Sequence, residues 1–261
     1  MFINKAWRIL LIGDGDLSFA YALQKNYQPK KLVATVFDRE QDLIIKYGDK
    51  YIKALKELNI TPIFKVDITN PQSWKKIPQE GFDVVIFQFP LIPSFKSKAE
   101  FERTQGSINI LNRSLLRNFL INSFKYFLDP NGSLLAFISS KDVNPYKTWN
   151  IENSLNLGLA INFLGKMNFD LNNFPEYKIR HVDADRHVKD TQSFTYIWSS
   201  KTSCEISDKL TKQDYSAPYF CPLCKAGKFY SLEDQQRHFT SRKHLLMQSF
   251  DDEWNAYLGD A

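Results

Sequence analysis

Residues 8–19 read Arg-Ile-Leu-Leu-Ile-Gly-Asp-Gly-Asp-Leu-Ser-Phe, and this stretch decides the fold class. The apolar run predicts a buried strand at Arg8–Ile12, and a helical pattern follows from Leu17 to Lys25. Between them Gly13 and Gly15 leave the main chain bare, so a ligand can approach the backbone where the strand runs into the helix. This order of strand, G-x-G turn and helix predicts the ligand-binding first unit of an open α/β sheet.

The rest of the first two hundred residues alternates apolar runs with amphipathic stretches. That rhythm is typical of a parallel sheet with helices on both faces. Helices are predicted at Glu40–Leu58 and Ile108–Leu128, whereas Thr148–Phe163 suggests a helix and then a strand, and Lys166–Asp190 suggests loops. Further strands are predicted at Lys31–Phe37, Pro62–Val66, Phe82–Phe87, Ser133–Ser139 and Phe194–Trp198.

Acidic residues follow the first three predicted strands: Asp14 and Asp16 in the glycine loop, then Asp38 and Asp67. Carboxylates at the loop repel a pyrophosphate but suit a ligand with a sulfonium and an amino group. Ser18 also stands where a dinucleotide fold has its third glycine. The pattern favours S-adenosylmethionine over NAD, with Asp38 accepting ribose hydroxyls and Asp67 accepting the adenine amine. The alternative interpretation is that Asp38 and Asp67 cap the helices they precede.

The fourth predicted strand runs into Gln88-Phe89-Pro90-Leu91. Ligands of open parallel sheets bind beyond the carboxyl ends of the strands. We therefore expect this segment beside the methyl donor, with Gln88 and Pro90 as candidate catalytic residues that meet the target base. The alternative interpretation is a buried strand followed by a proline turn.

Near the end of the sequence, four residues have the spacing of a structural zinc site: Cys221, Cys224, His238 and His244. Two thiolates and two imidazoles satisfy tetrahedral zinc. Ser231 predicts a helix start that places both histidines on one helix. A six-residue step turns about 600° along an α-helix, so this helix must loosen near Thr240-Ser241. The alternative is a chance cysteine pair beside two unrelated histidines, which leaves both spacings unexplained.

This segment resembles the matrin-type subset of Cys2His2 zinc fingers. The resemblance rests on Tyr219–Cys224 and on the ending His-Phe-Thr-Ser-Arg-Lys-His at 238–244. It implies an RNA partner, and a finger that only docks protein or supports folding is the alternative. Phe229 and Leu245 are expected to fill the apolar interior. The basic residues available for phosphate contacts are Lys225, Lys228, Arg237, Arg242 and Lys243.

The composition predicts two unequal domains: 1–200 for the donor, a polar linker at 201–216, the finger at 217–247 and an acidic tail at 248–261. Hydrophobic residues make up 43% of the chain, enough for a sizeable core. The net charge is +5, and the excess of positive charge lies in 1–200, with 26 basic against 20 acidic residues, which permits contact with RNA. Few cysteines and no long apolar run predict an intracellular protein that does not span a membrane. A monomer is expected, located in the nucleus or nucleolus in a eukaryote and otherwise in the cytoplasm.

Residues 7–198 resemble the family of ribosomal-RNA uridine-N3-methyltransferase-like proteins. The resemblance implies a Rossmann-like class I methyltransferase sheet, S-adenosylmethionine as cofactor and methylation of ring nitrogen 3 of a uridine in large-subunit rRNA. Family members usually read F-N-F-P-H where this chain has F-Q-F-P-L at 87–91. The motifs that carry the resemblance are Ile9–Phe19, Ala34–Asp38, Val66-Asp67, Phe82–Pro90, Asn112–Leu120, Pro145–Trp149 and Phe174–Tyr177.

The sequence therefore predicts an S-adenosylmethionine-dependent RNA methyltransferase whose finger recruits RNA. Methylation at pyrimidine carbon 5 needs a cysteine nucleophile. Cys204, the one cysteine outside the finger, falls in the predicted linker, so transfer to nitrogen or oxygen is favoured. The alternative is an RNA- or ribosome-binding adaptor that has kept the fold and lost the activity, an interpretation that rests on Gln88 and Leu91.

Overall fold

The computed structural model describes residues 1–95, 97–104, 106–181, 184–187 and 191–260. Its strands are β1 (Arg8–Ile12), β2 (Lys31–Ala34), β3 (Val84–Gln88), β4 (Leu135–Lys141), β5 (Asn162–Asn168), β6 (Arg180–His181), β7 (Ala184–His187), β8 (Ser193–Ser199), β9 (Phe220–Cys221) and β10 (Ala226–Gly227). Its α-helices are α1 (Ser18–Tyr27), α2 (Glu40–Tyr47), α3 (Lys50–Glu57), α4 (Lys98–Glu102), α5 (Ile108–Asn122), α6 (Ile151–Ser154), α7 (Leu232–Phe239) and α8 (Arg242–Asp260).

Six strands form the central sheet, in the order β2-β1-β3-β4-β8-β5. Strands β1 to β4 run parallel, and β8 lies antiparallel between β4 and β5. Two antiparallel hairpins, β6-β7 and β9-β10, lie outside it. The predicted α/β class, with a mostly parallel sheet at the centre, is confirmed.

The middle strands are buried on both faces, which explains their almost continuous apolar sequences. Every residue of β3 and β4 is buried. Successive side chains point to opposite faces, so Leu11 and Ile86 belong to the apolar layer that includes residues of α1 and α3, whereas Leu10 and Val85 face the layer of α5. Because β1 to β4 run parallel, their carboxyl ends meet at one edge of the sheet.

Two predicted elements, one strand and one helix, are shorter than expected. The strand predicted at Pro62–Val66 is reduced to one bridge between Ile63 and Thr35, and Lys65 takes a left-handed backbone with φ 63°. The helix predicted at Glu40–Leu58 is two helices, because Gly48 with φ 80° and ψ 180° ends α2. At Lys65 and at Gly48 the positive φ turns the backbone away from the regular element.

The third predicted helix and the region after it also differ. Helix α5 ends at Asn122 and closes in a π-helical turn at Ser123–Phe127. Strand β5 extends into the region where loops were expected. Phe163, Gly165 and Met167 of this strand are buried, and a register shift between Phe163 and Gly165 places Phe163 in the layer of α5 and Met167 in the layer of α1. The apolar Leu164 breaks the alternation of apolar and polar residues, so the sequence did not indicate the whole strand.

The last sixty residues are fixed to the sheet domain. The predicted linker is partly ordered against it: Thr211 pairs with Lys166 of β5 through backbone bonds of 2.8 and 2.9 Å, and Ile206 is buried. The predicted acidic tail is not a separate segment, because α8 runs from the finger to Asp260 and buries Trp254 completely. Within the described ranges, no helix is both long and apolar enough to cross a membrane.

Candidate functional site

The glycine loop turns the chain at the carboxyl end of β1. Gly13 has a left-handed backbone with φ 62°, and a Cβ atom there would lie 2.9 Å from Cε2 of Phe87. Its N–H donates to Oγ1 of Thr35 at 3.2 Å. A Cβ atom at Gly15 would meet nothing within 4 Å. Packing within the protein therefore requires glycine at 13, whereas glycine at 15 only keeps open the space in front of the loop.

Both acids of the loop are buried at the start of α1. Oδ2 of Asp14 accepts a hydrogen bond from the Ala20 N–H at 2.7 Å, and Oδ1 of Asp16 accepts one from the Ser18 N–H at 3.0 Å. Oδ2 of Asp16 also lies 2.6 Å from Nε of Arg180. Burial, reinforced by the charge of Asp16, raises the pKa of Asp14 to about 8. A cation bound beside Asp14 stabilises its ionised form.

Asp38 and Asp67, the acids that follow farther along the chain, accept hydrogen bonds from nearby residues and do not cap helices. Both carboxylate oxygens of Asp38 accept from Nζ of Lys46 at 3.0 Å. Oδ1 of Asp67 accepts from the N–H of Thr69 at 2.9 Å and from its hydroxyl at 2.7 Å. Helix α2 is preceded by Arg39 without a side-chain cap. The capping alternative for Asp38 is therefore wrong, and Asp67 closes a turn.

One cavity of about 740 Å³ at the carboxyl edge of the sheet brings these residues together. It is lined by all six residues predicted for the cofactor, Gly13, Asp14, Gly15, Asp16, Asp38 and Asp67, and by Gln88 and Pro90. The same cavity is also lined by Lys46, Tyr47, Tyr177 and Arg180, to which the sequence patterns assigned no role in the site. The Arg180 guanidinium carbon lies 5.6 Å from the Tyr47 ring centroid, so distant parts of the chain close over the loop.

The segment after β3 forms the inner wall of the cavity. Gln88 is 9% exposed; its Nε2 lies 3.7 Å from Sδ of Met1, and its Oε1 has no hydrogen-bond partner among the described residues. Phe89 takes a left-handed backbone with φ 46° and donates its N–H to the Ser139 carbonyl at 3.0 Å, which turns the chain before the buried Pro90. An unpartnered buried oxygen costs about 1–3 kcal/mol, so a turn of the Gln88 side chain that brings Oε1 to a hydrogen-bond donor is favoured.

The four residues predicted to bind zinc converge between the β9-β10 hairpin and the two last helices. Their ligand atoms all lie within 4.8 Å of one another. The sulfurs of Cys221 and Cys224 each lie 3.5 Å from Nδ1 of His244. Sulfur and nitrogen ligands across a tetrahedral zinc are separated by roughly 3.5 Å. Nε2 of His238 is buried with no hydrogen-bond partner among the described residues, so the donor set fits zinc.

The local structure around this cluster follows the predicted pattern in part. The two histidines do not share one helix, because His238 lies on α7 and His244 on α8. Oγ of Ser231 caps α7, which ends at Phe239, and α8 begins at Arg242, so the interruption expected near Thr240-Ser241 is present. Phe229 packs 5.0 Å from the His238 ring. The prediction that Leu245 fills the interior is wrong, because this side chain is exposed. Phe239 packs there in its place.

The mostly parallel sheet, with a ligand cavity at its carboxyl edge and a glycine loop after the first strand, defines a Rossmann-like protein of the methyltransferase type. The model of the family described as "rRNA (uridine-N3-)-methyltransferase BTM5-like" matches residues 10–181. The chain belongs to this BMT5-like family.

The individual proteins to which this chain is similar have low sequence identity with it. Heavy metal-associated isoprenylated plant protein 41 of Arabidopsis thaliana is 27% identical over 184 residues, which make up 69% of this chain and 34% of the plant protein. The chain thus spans about a third of the length of the curated relative it matches. Among solved structures, M. capricolum TrmK in complex with S-adenosyl-homocysteine matches with a TM-score of 0.45 and 12% identity, covering 99% of this chain and 93% of that one. A methyltransferase from Pyrococcus furiosus matches with a TM-score of 0.42 and 15% identity, covering 76% and 77%.

Proposed function

We propose that the protein is an S-adenosylmethionine-dependent RNA methyltransferase that acts on a ring nitrogen of uridine in rRNA. One observation carries the proposal: a bare glycine loop and the carboxylates that follow β1, β2 and the Thr35–Ile63 bridge border one cavity of about 740 Å³. Such a lining suits a cationic nucleoside, because the carboxylates complement its sulfonium and amino groups and accept its hydroxyls. Family membership supports RNA as the substrate class.

In this proposal the chain acts by positioning. S-adenosylmethionine supplies an electrophilic methyl group, and its in-line transfer needs alignment and exclusion of water more than acid-base chemistry. Asp38 would accept the ribose hydroxyls, and Asp67 the adenine amine. Asp14 and Asp16 would complement the amino-acid end of the donor. Each of these carboxylates is already held in place by a hydrogen bond within the protein.

The target base would meet Gln88 and Pro90. Gln88 would hold the base by donating its amide N–H to a uracil carbonyl oxygen, which leaves ring nitrogen 3 facing the donor. Pro90 and the half-buried Phe89 offer apolar surface to the face of the base. Ring nitrogen 3 becomes nucleophilic when its N–H proton leaves to solvent, and the N–CH3 bond then forms as the S–CH3 bond breaks and releases S-adenosylhomocysteine.

The finger would aid RNA binding. Lys228, Arg237, Arg242 and Lys243 are exposed on it, and the Tyr230 ring is 90% exposed, which suits phosphate contacts and base stacking. Lys225, predicted among these basic residues, is instead paired with Glu152 at 2.9 Å and points into the sheet domain. The phosphate-binding surface is therefore smaller than the sequence suggested.

The decisive experiment is methyl transfer to total rRNA from labelled S-adenosylmethionine, with the product nucleoside identified by mass spectrometry. The expected product is a ring-nitrogen methyluridine, and Gln88→Ala should lower turnover by at least tenfold without weakening donor binding. Incorporation at carbon 5 or in another nucleoside would contradict the uridine-nitrogen proposal. RNA binding without any binding of millimolar donor in a calorimeter would leave only the adaptor alternative.

The role of the finger is tested separately by charge reversal. Arg242→Glu combined with Lys243→Glu should weaken RNA binding and flatten its salt dependence by a slope of about 1–2 on a log-log plot. Lys75→Glu combined with Lys76→Glu, an adjacent exposed pair on the sheet domain, is the matched control. Equal effects of the two double variants would show that only net charge matters and would remove the finger from the proposal.

A further inference from the structure

Helix α8 belongs to two sites at once. Its first turn carries His244, one of the four candidate zinc ligands, and its second half lies on the sheet domain. Trp254 is ten residues beyond His244, about 15 Å along a helix axis. Helix α8 therefore connects the candidate zinc ligands to the sheet domain as one continuous helix.

The second half of α8 is anchored by buried polar contacts. Asp251 accepts from Nη1 of Arg113 at 2.7 Å, and the Arg113 side chain is completely buried on α5. Asn150 donates to the same carboxylate at 3.1 Å. Trp254 is also fully buried and donates its Nε1–H to the Ser154 carbonyl at 3.0 Å. A buried guanidinium needs its carboxylate, so this interface is not a loose surface contact.

The contacts of α8 continue to the wall of the cavity. The Tyr257 hydroxyl lies 3.0 Å from Oγ of Ser114, and Nδ2 of Asn118 lies 3.3 Å from that same oxygen. Ser114 and Asn118 both line the cavity. Glu253 accepts from the hydroxyl of Ser107 at 2.9 Å, and Ser107 is the residue that caps the start of α5. Helix α8 thus holds both the start and the cavity side of α5.

A second contact ties the finger to the sheet domain near the cysteines. Lys225, which follows Cys224 directly, pairs with the buried Glu152 at 2.9 Å, and Lys166 of β5 pairs with the same oxygen at 2.8 Å. Burial would raise the pKa of Glu152, but the two ammonium groups lower it below its ordinary value. The carboxylate therefore stays charged and joins the finger to the sheet.

We infer that helix α8 couples the candidate zinc site to the candidate cofactor cavity, so that zinc raises the affinity for the donor and the donor raises the affinity for zinc. The inference rests on the proposed function for its ligand and adds regulation of that site by metal occupancy. Without zinc the first turn of α8 loses His244 as an anchor, and the wall formed by α5 loses part of its support. Linkage makes the effect reciprocal for the two affinities.

The test measures S-adenosylhomocysteine binding to the full chain by calorimetry, with zinc and after chelation. Chelation should weaken binding by roughly fivefold or more. Trp254→Ala and the milder Tyr257→Phe should bind zinc, as a competing dye reports, yet show a metal effect on nucleoside binding below twofold. Asn255→Ala, an exposed change on the same helix, should behave like the wild type.

Each outcome decides the coupling. An affinity that chelation leaves unchanged in the wild type would overturn it, and so would an equal loss in the wild type and Tyr257→Phe, because the effect would then bypass α8. If S-adenosylhomocysteine fails to bind even with zinc, the proposed function fails. Hydrogen exchange of α5 then decides the coupling by itself: zinc-dependent protection supports it, and protection independent of zinc refutes it.

Discussion

Replacing Gly13 and Gly15 one at a time by alanine separates the stability of the glycine loop from its contact with a ligand. At Gly13 the added Cβ enters a left-handed backbone and meets the Phe87 ring at 2.9 Å. The backbone strain costs about 1–2 kcal/mol, and the overpacking costs about 1–3 kcal/mol. Alanine recovers about 0.4–1 kcal/mol through the unfolded state. The expected net loss of unfolding free energy is therefore about 1–5 kcal/mol for Gly13→Ala.

A mid-range loss of about 2.5 kcal/mol lowers the melting temperature by roughly 5–10 °C for a chain of this size. Gly15→Ala should leave it nearly unchanged, because the added Cβ meets nothing within 4 Å and the backbone there is not left-handed. The same methyl group projects into the cavity. Nucleoside binding should therefore weaken about tenfold or more, equivalent to ~1.4 kcal/mol.

Thermal unfolding and calorimetry with S-adenosylhomocysteine measure the two quantities on both variants. Gly13→Ala should lower the melting temperature, whereas Gly15→Ala should weaken S-adenosylhomocysteine binding and leave the melting temperature nearly unchanged. If Gly15→Ala binds the nucleoside within twofold of the wild type, the loop does not contact the ligand through its main chain. A Gly13→Ala variant as stable as the wild type would refute the strain argument at that position.

Three further predictions concern charged groups. Binding of S-adenosylmethionine, measured by calorimetry, should tighten as the pH rises from 6 toward the Asp14 pKa of about 8, since its sulfonium cation favours the ionised carboxylate. Asp14→Asn isolates this effect from titration of the ligand's own amino group, and an identical pH profile in that variant would contradict it. Asp38→Asn should weaken binding by roughly tenfold or more in the same assay, as expected for hydrogen bonds to a charged acceptor; an unchanged affinity would exclude Asp38 as the ribose acceptor. Arg8→Met should destabilise the fold by about 2–3 kcal/mol at neutral pH, because Asp83 loses its guanidinium partner at 2.8 Å. Burial would raise the pKa of Asp83, but Arg8 lowers it below its ordinary value of 3.8. The pair therefore stabilises the fold above pH 3.8, and this contribution is lost as the pH falls further. In urea unfolding, the difference between the wild type and Arg8→Met should be smaller at pH 3 than at pH 7.

Patterns local in sequence predicted much of the fold. Strand β1 begins and ends where the apolar run does, and α7 begins at the capping residue Ser231. Short-range chemistry also located the break between α7 and α8, because a six-residue histidine step does not fit a continuous helix. The prediction failed for most of β5, whose alternation is broken by Leu164 and by the register shift between Phe163 and Gly165. It failed again at Pro62–Val66, where a left-handed residue interrupts an apolar run.

The residues of the candidate site were likewise predictable only in part. The glycines and acids at strand ends were identifiable, because strand ends of a parallel sheet meet at one edge whatever the loops between them do. Their partners were not. Arg180 reaches Asp16 across 164 residues, and nothing near either residue signals the pair. Lys46 on α2 pairs with Asp38 because the helix folds back over the strand end.

The sequence by itself determined the strand-loop-helix unit with its bare backbone and the spacing of the four candidate zinc ligands, since both depend on residues close together in the chain. Only the tertiary structure decided that residues 248–260 form part of a helix fixed to the sheet domain. Asp251 and Glu253 look like a solvated acidic tail until Arg113 and Ser107, more than a hundred residues earlier, are packed beside them. Burial of Trp254 and Arg113 arises from that packing, and no local pattern encodes it.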